Sequence, residues 1–305
     1  MRIQLKRVLC ATDFSELSNQ AIPFGIALSR TFNAKLFVCH IVDLPFAAMN
    51  GEVQLDPIEQ QDRMATYAQQ QLQQLFENEP VEWEPLVSIG HTADEIVRIA
   101  GQKRIDLVVA ATHGRSGLKR LLLGSVAERL MRTLSCPMLI IKEEGDTVLK
   151  KHDFPPKRIL VGCDFSPDSG LAFQYGLALA QEFESELHLV HVVEPPVYQN
   201  ILFSDVASGF YNRDAMLEEL NDKLERMVPD DARNWCGLKT SLREGKADEE
   251  LTRYADINDM DMIVVGVRGH SLVETLFVGS TTDRVARRSP CPVLSVRPMG
   301  KKAEE

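Results

Sequence analysis

The sequence predicts an α/β protein built twice over, each half a parallel sheet of five strands with helices on both faces. Three observations carry this. Short apolar runs rich in β-branched residues alternate with longer amphipathic stretches, the pattern of a parallel sheet whose crossovers are helices. The pattern then repeats: KRVLCATDFS at Lys6–Ser15 returns as KRILVGCDFS at Lys157–Ser166. The length of 305 residues also suits about two domains of roughly 150 residues each.

Further blocks extend the repeat. Phe37–Val42 returns as His188–Val193, Asp106–Ala110 as Asp261–Val265, and Ser135–Ile141 as Pro290–Val296. The early blocks lie 151 residues apart and the later ones 155, so the second half carries a net four extra residues after its second strand. In the first half, strands are expected near 6–12, 36–42, 81–88, 106–111 and 137–142. Helices are expected near 16–32, 57–78, 93–102 and 119–133. Thr92-Ala93-Asp94-Glu95 has the spacing of a capping box, and Pro23 predicts a kink in the first helix. The charged, unpatterned stretch Glu143–Asp153 reads as a linker and Pro155-Pro156 stiffens the entry to the second half. The domains are therefore expected at 1–145 and 155–300, with a frayed tail after Gly300.

The bulk properties narrow the function. Apolar content of 44% with a net charge of -10 describes an ordinary globular chain without the basic face that nucleic acid requires. The N-terminus runs into a strand with no signal segment, and no apolar run approaches the roughly 18 residues of a membrane span. A cytoplasmic location is the expectation, with neither membrane nor nucleic acid as partner. Of the six cysteines, Cys10, Cys39 and Cys163 lie in strand-like runs and no CxxC pair occurs; reduced, buried thiols are expected rather than a metal or redox site. His40 and His191 occupy equivalent strand positions and read as packed residues.

The chemistry concentrates after the fourth strand of each half. Met262–Val265 leads into Gly266-Val267-Arg268-Gly269 and, nine residues on, Gly279-Ser280. Glycines let backbone approach a ligand closely, and a helix opening at Gly279-Ser280 would aim unpaired N–H groups and a positive dipole end at it, which suits an anion such as phosphate. The first half repeats this as Ala111-Thr112-His113-Gly114, nine residues, then Gly124-Ser125. No Gly-Lys-[Ser/Thr] or GxGxxG accompanies it, which speaks against a Walker A loop or a nicotinamide cofactor.

A strand ending in Asp-Phe-Ser, a second ending in His-Ile/Val-Val, and G-x2-G-x9-G-[ST] before the last helix resemble the universal stress proteins. The resemblance covers nearly the whole chain twice, as in tandem-type members. It implies a Rossmann-like, adenine nucleotide alpha hydrolase-like domain in each half, with ATP, accompanied by Mg, as the cofactor at the strand C-termini. By resemblance Asp13 and Asp164 face the adenosine, Thr12 and Cys163 precede them, and Ile41 and Val192 lie beside the adenine. Gly114, Gly124 and Ser125 would cradle phosphate in domain one, and Gly266, Gly269, Gly279 and Ser280 in domain two. Ala111 stands where the first glycine belongs, and because alanine disfavours positive φ, nucleotide binding in domain one is expected to suffer.

Other uses of these residues stay open. The Asp-Phe-Ser serine can cap the following helix, the more so because Pro167 follows Ser166. Arg115, Lys119 and Arg120 could balance phosphate charge in domain one, or form a solvated helix start. Domain two offers Arg268 and His270 but also Glu274. No acid–base pair, nucleophile motif or metal cluster is evident, so weak ATPase activity is the most that is expected. The leading function is an ATP-responsive stress protein acting through conformation or an unidentified protein partner. The alternatives are a slow ATPase or phosphotransfer enzyme, and a binder of an apolar ligand through Ile201–Tyr211. The duplication further predicts an intramolecular pseudo-dimer pairing Met138–Ile141 with Val293–Val296; a further homodimer stays open.

Overall fold

In the computed structural model the described residues are 3–43, 57–76, 79, 81–112, 123–142, 154–194, 213–234, 236–268 and 278–298. The chain divides into two compact units, whose described parts fall mainly within 3–142 and 154–297. The expected linker, the tail beyond Gly300 and the apolar Ile201–Tyr211 segment lie outside the described residues.

Unit one runs β1 (Arg7–Ala11), α1 (Glu16–Phe32), β2 (Lys35–Val42), α2 (Pro57–Phe76), β3 (Trp83–Ile89), α3 (Thr92–Gln102), β4 (Leu107–Ala111), α4 (Ser125–Thr133) and β5 (Met138–Ile141). The strands lie in the order β3-β2-β1-β4-β5 and every pairing is parallel. From β1 the chain steps outward through β2 to β3, then returns to β4 on the other side of β1. Right-handed crossovers therefore place α1 and α2 on one face and α3 and α4 on the other. The two sets of connections part between β1 and β4, which opens a crevice at the carboxyl ends of those strands.

Unit two repeats this with β6 (Arg158–Cys163), α5 (Pro167–Phe183), β7 (Glu186–Val193), α6 (Arg213–Arg226), β8 (Leu238–Glu244), α7 (Ala247–Ile257), β9 (Met262–Gly266), α8 (Ser280–Arg288) and β10 (Val293–Val296). Its order is β10-β9-β6-β7-β8, again all parallel. The four extra residues fall between β7 and β8, where a short 3-10 turn, Ala232–Asn234, follows α6.

The repeat is kept by local chemistry as well as by apolar patterning. Val8, Leu9 and Cys10 on β1, and Val108 and Val109 on β4, are fully buried. Ahead of β4, Asp106 accepts the N–H groups of Lys6 (2.8 Å) and Arg7 (3.0 Å). Asp261 does the same for Lys157 and Arg158, both at 2.8 Å. One carboxylate thus ties two adjacent strand starts together through charge-assisted bonds. Replacing Asp261 with Ala is expected to cost about 1–3 kcal/mol, since it leaves two backbone donors unpaired; urea denaturation with unchanged m-value would show it.

The serine caps occur as expected: Ser15 accepts from Ser18 N and Ser166 from Ser169 N, each at 3.2 Å, and Pro167 opens α5. Helix α1 runs as one element through Pro23, which is exposed. The capping box does not form. His91, not Thr92, is the cap residue of α3, and it makes no side-chain cap bond. Glu95 turns away to Ser88 and Arg98 instead. Those partners lie on β3 and one turn along the helix, out of reach of any sequence rule about the helix start.

Candidate functional site

The β1–α1 connection is the most tightly determined part of unit one. Phe14 adopts φ 64°, a left-handed conformation that costs a bulky residue energy and needs support. Support comes from the Phe14 N–H donating to Thr12 Oγ1 (3.0 Å) and from the ring stacking on His40 at 4.3 Å. His40 Nδ1 in turn meets the Thr12 carbonyl at 2.9 Å. Asp13 Oδ1 accepts from Ser15 N (3.0 Å) and Ser15 Oγ (2.6 Å), while its own N–H donates to Ser18 Oγ. Unit two reproduces the device. Phe165 sits at φ 61° against His191, whose Nδ1 meets the Cys163 carbonyl at 2.8 Å. Both histidines are thus packed strand residues that hold the loop. Burial pushes the His191 pKa down, outweighing the upward pull of the Cys163 carbonyl bond, and so favours the neutral ring.

The crevice beyond β1 and β4 is a cavity of about 260 Å³. Thr12, Asp13, Ile41, Gly124 and Ser125, all anticipated from sequence, line it together. Gly114 lies outside the described residues, as do Arg115, Lys119 and Arg120. Ile41, Ile96, Ala110 and Leu130 supply an apolar floor, and Thr12, Asp13, Ser18 and Thr112 a polar rim. At the far side α4 begins. Its cap residue is Gly124, with φ -61° and ψ 147° and no side-chain cap bond. The first-turn N–H groups of α4 therefore have no side-chain acceptor from the cap, and the positive end of the helix faces the cavity rim.

The equivalent cavity of unit two holds about 90 Å³. Cys163, Asp164, Val192 and Gly266 line it, while Gly279 and Ser280 do not; Thr281 and Thr282 stand there instead. Gly269 lies outside the described residues, with His270 and Glu274. Two substitutions shrink the space: Val265 replaces Ala110, and Arg268 enters the lining. Arg268 is held by Asp168, which accepts from its backbone N–H at 3.2 Å and its Nε at 3.1 Å.

Gly266 lines the cavity, and the geometry gives a further reason for glycine there. It ends β9 and is absent from the residues with positive φ, among which the described glycines are Gly90 (φ 148°) and Gly245 (φ 144°). Gly266 is needed for space: a Cβ there would stand 2.7 Å from the Asp168 carbonyl carbon. Ala111 likewise shows no positive φ, so its methyl meets no backbone strain there, and unit one has the larger cavity.

Sequence reasoning missed Ser18 and Ser169, which accept from the N–H of Asp13 and Asp164. Their recurrence 151 residues apart was the available signal. It also missed Asp168, which has no counterpart because Leu17 occupies that place. Burial disfavours the thiolate of the cysteines reaching the cavities: it pushes the Cys39 thiol up to about 12 and raises Cys163 as well. All six cysteines are buried, and none forms a disulfide. Among the described residues no acid, histidine and cysteine cluster could hold a metal ion, and no helix is long and apolar enough to cross a membrane.

Comparison with known proteins agrees with the duplication. The model of the universal stress protein family matches residues 4–142 and again 155–297. A universal stress protein of Methanocaldococcus jannaschii is 33% identical over 140 residues, 45% of this chain and 82% of its own. One from Synechocystis is 21% identical and spans 96% of this chain and all of its own length. The crystal structure of a universal stress protein from Archaeoglobus fulgidus covers 97% of this chain and all of its own at 21% identity, with a TM-score of 0.69, and so shares the fold. With both halves matched by one model and the same strand order in each, the chain belongs to the universal stress protein family as a tandem member.

Proposed function

We propose that this is a cytoplasmic, ATP-responsive stress protein that binds adenine nucleotide in the crevice of unit one and acts through conformation or a partner rather than turnover. The observation that carries this is the joining of three unlike surfaces around one cavity of about 260 Å³. Its size is near the lower end of the range for small-molecule pockets, ~300 Å³. The apolar floor between Ile41, Ile96 and Ala110 suits a flat ring. Asp13, held in place by the Thr12 and Ser18 network, presents a carboxylate to polar ring or sugar groups. The uncapped start of α4 suits the phosphates, with Mg2+ entering as their counter-ion. Six buried cysteines outside any disulfide fit a reducing compartment.

The test is direct. Purified full-length protein is denatured and the released small molecules are separated by chromatography; the stripped, refolded chain is titrated with ATP by calorimetry. Adenine nucleotide in the extract, or saturable heat on titration, is the expected result. An empty extract with no heat would refute the nucleotide reading. Turnover at about 1 per second or faster would move the protein to the enzyme class.

A further inference from the structure

The two cavities are not equivalent, and beside the smaller one stand two residues that only unit two has. Asp168, in the first turn of α5, has a side chain 8% exposed, and the paired Arg268 side chain is 30% exposed. Asp168 Oδ2 accepts from the Arg268 backbone N–H at 3.2 Å and from its Nε at 3.1 Å, and Oδ1 lies 3.5 Å from Nη2. Ser166 Oγ reaches the Arg268 carbonyl at 3.5 Å. The chain leaving β9 is thus stitched to the start of α5 through both backbone and side chain. Gly266 permits it by removing the Cβ that would meet Asp168. In unit one Leu17 replaces Asp168, Ala111 replaces Gly266 and His113 replaces Arg268, so the stitch cannot be made there.

We propose that Asp168 and Arg268 form an internal latch that closes the unit-two cavity, confining adenine nucleotide to unit one. This rests on the nucleotide reading above. The physical reason is competition. A ligand entering unit two must displace a guanidinium from a buried carboxylate, and that carboxylate is then left without a partner. A site whose open form is scarcely populated binds with its affinity reduced by that fraction. Once Arg268 is displaced, Asp168 also leaves an uncompensated negative charge at the start of α5, whereas Leu17 leaves none. Removing the acid leaves the chain fold of α5 intact and frees Arg268 to meet an anion.

The full-length protein is titrated with ATP by calorimetry as native, Asp168→Leu and Arg268→His chains, the substitutions being the unit-one residues. Far-ultraviolet dichroism and a thermal melt verify that each is folded. The native chain is expected to bind about one nucleotide and Asp168→Leu about two, the second site having gained its open form. Arg268→His breaks the latch from the other side and is expected to gain a weaker second site, because Asp168 stays. Two sites in the native chain overturn the latch and leave the nucleotide reading standing. Unchanged stoichiometry in both folded variants overturns it too; should one variant fail to fold, the other decides. A native chain that binds no nucleotide overturns the functional reading, and the latch is then judged by the variants alone: binding gained supports it and none gained overturns it.

Discussion

Replacing Gly124 with Asp is expected to raise the melting temperature of the protein while removing its nucleotide binding. Gly124 caps α4 at φ -61° and ψ 147°, an extended conformation open to any residue. Aspartate is among the favoured cap residues: its carboxylate would accept the first-turn N–H groups and complement the dipole, for a gain of about 0.5–1 kcal/mol. The same carboxylate would occupy the anion position at the cavity rim and repel a triphosphate at close range. A loss in affinity of roughly a hundredfold or more, about 2.7 kcal/mol, is expected. The opposite signs make the result informative, because a misfolded variant would lose both. Calorimetric titration beside a thermal melt measures the two together. Affinity equal to the native value would mean that the start of α4 is not where phosphate sits.

The second large effect concerns packing. Gly176 lies in α5 where the helix meets β6, and a Cβ there would stand 2.4 Å from Val161 Cγ2. Val161 is fully buried on a strand flanked by β7 and β9, and its β-branched side chain has little rotamer freedom with which to yield. Gly176→Ala is therefore expected to destabilise by about 1–3 kcal/mol through overpacking, despite the better helix propensity of alanine. Gly170 belongs to the same helix, and a Cβ there meets nothing within 4 Å. Gly170→Ala is expected to stabilise by about 0.5–1 kcal/mol through reduced freedom of the unfolded chain. Urea denaturation of both variants reads the contrast. If both shift the midpoint in the same direction, the close approach of α5 to β6 is not the constraint it is argued to be.

The sequence by itself determined the duplication, the α/β class, the order and approximate limits of the described elements, and that Thr12, Asp13, Ile41, Gly124 and Ser125 come together around the unit-one crevice. It could do so because these depend on local signals. Buried strands such as Leu9–Cys10 and Val108–Val109 are apolar runs, Ser15 and Ser166 cap helices that begin beside them, and a parallel sheet with right-handed crossovers leaves its crevice in one place. Repetition doubled each signal, so that a motif weak in one half was read with the other.

Only the tertiary structure decided which crevice is the larger. By glycine count unit two has the fuller motif, yet its cavity is the smaller, about 90 Å³ against 260 Å³. Arg268, which lines the smaller cavity, is held by a carboxylate 100 residues away in the chain, the two being joined by the packing of α5 against β9. Gly266 is explained by the same approach, through a contact with backbone that no local propensity encodes. Glu95 shows the effect in miniature: its spacing from Thr92 suggests a cap, but Ser88 on the neighbouring strand and Arg98 on its own helix are the partners it takes. A residue type and its spacing fix what a side chain can do; the neighbours that folding brings to it, often from a distant part of the chain, fix what it does.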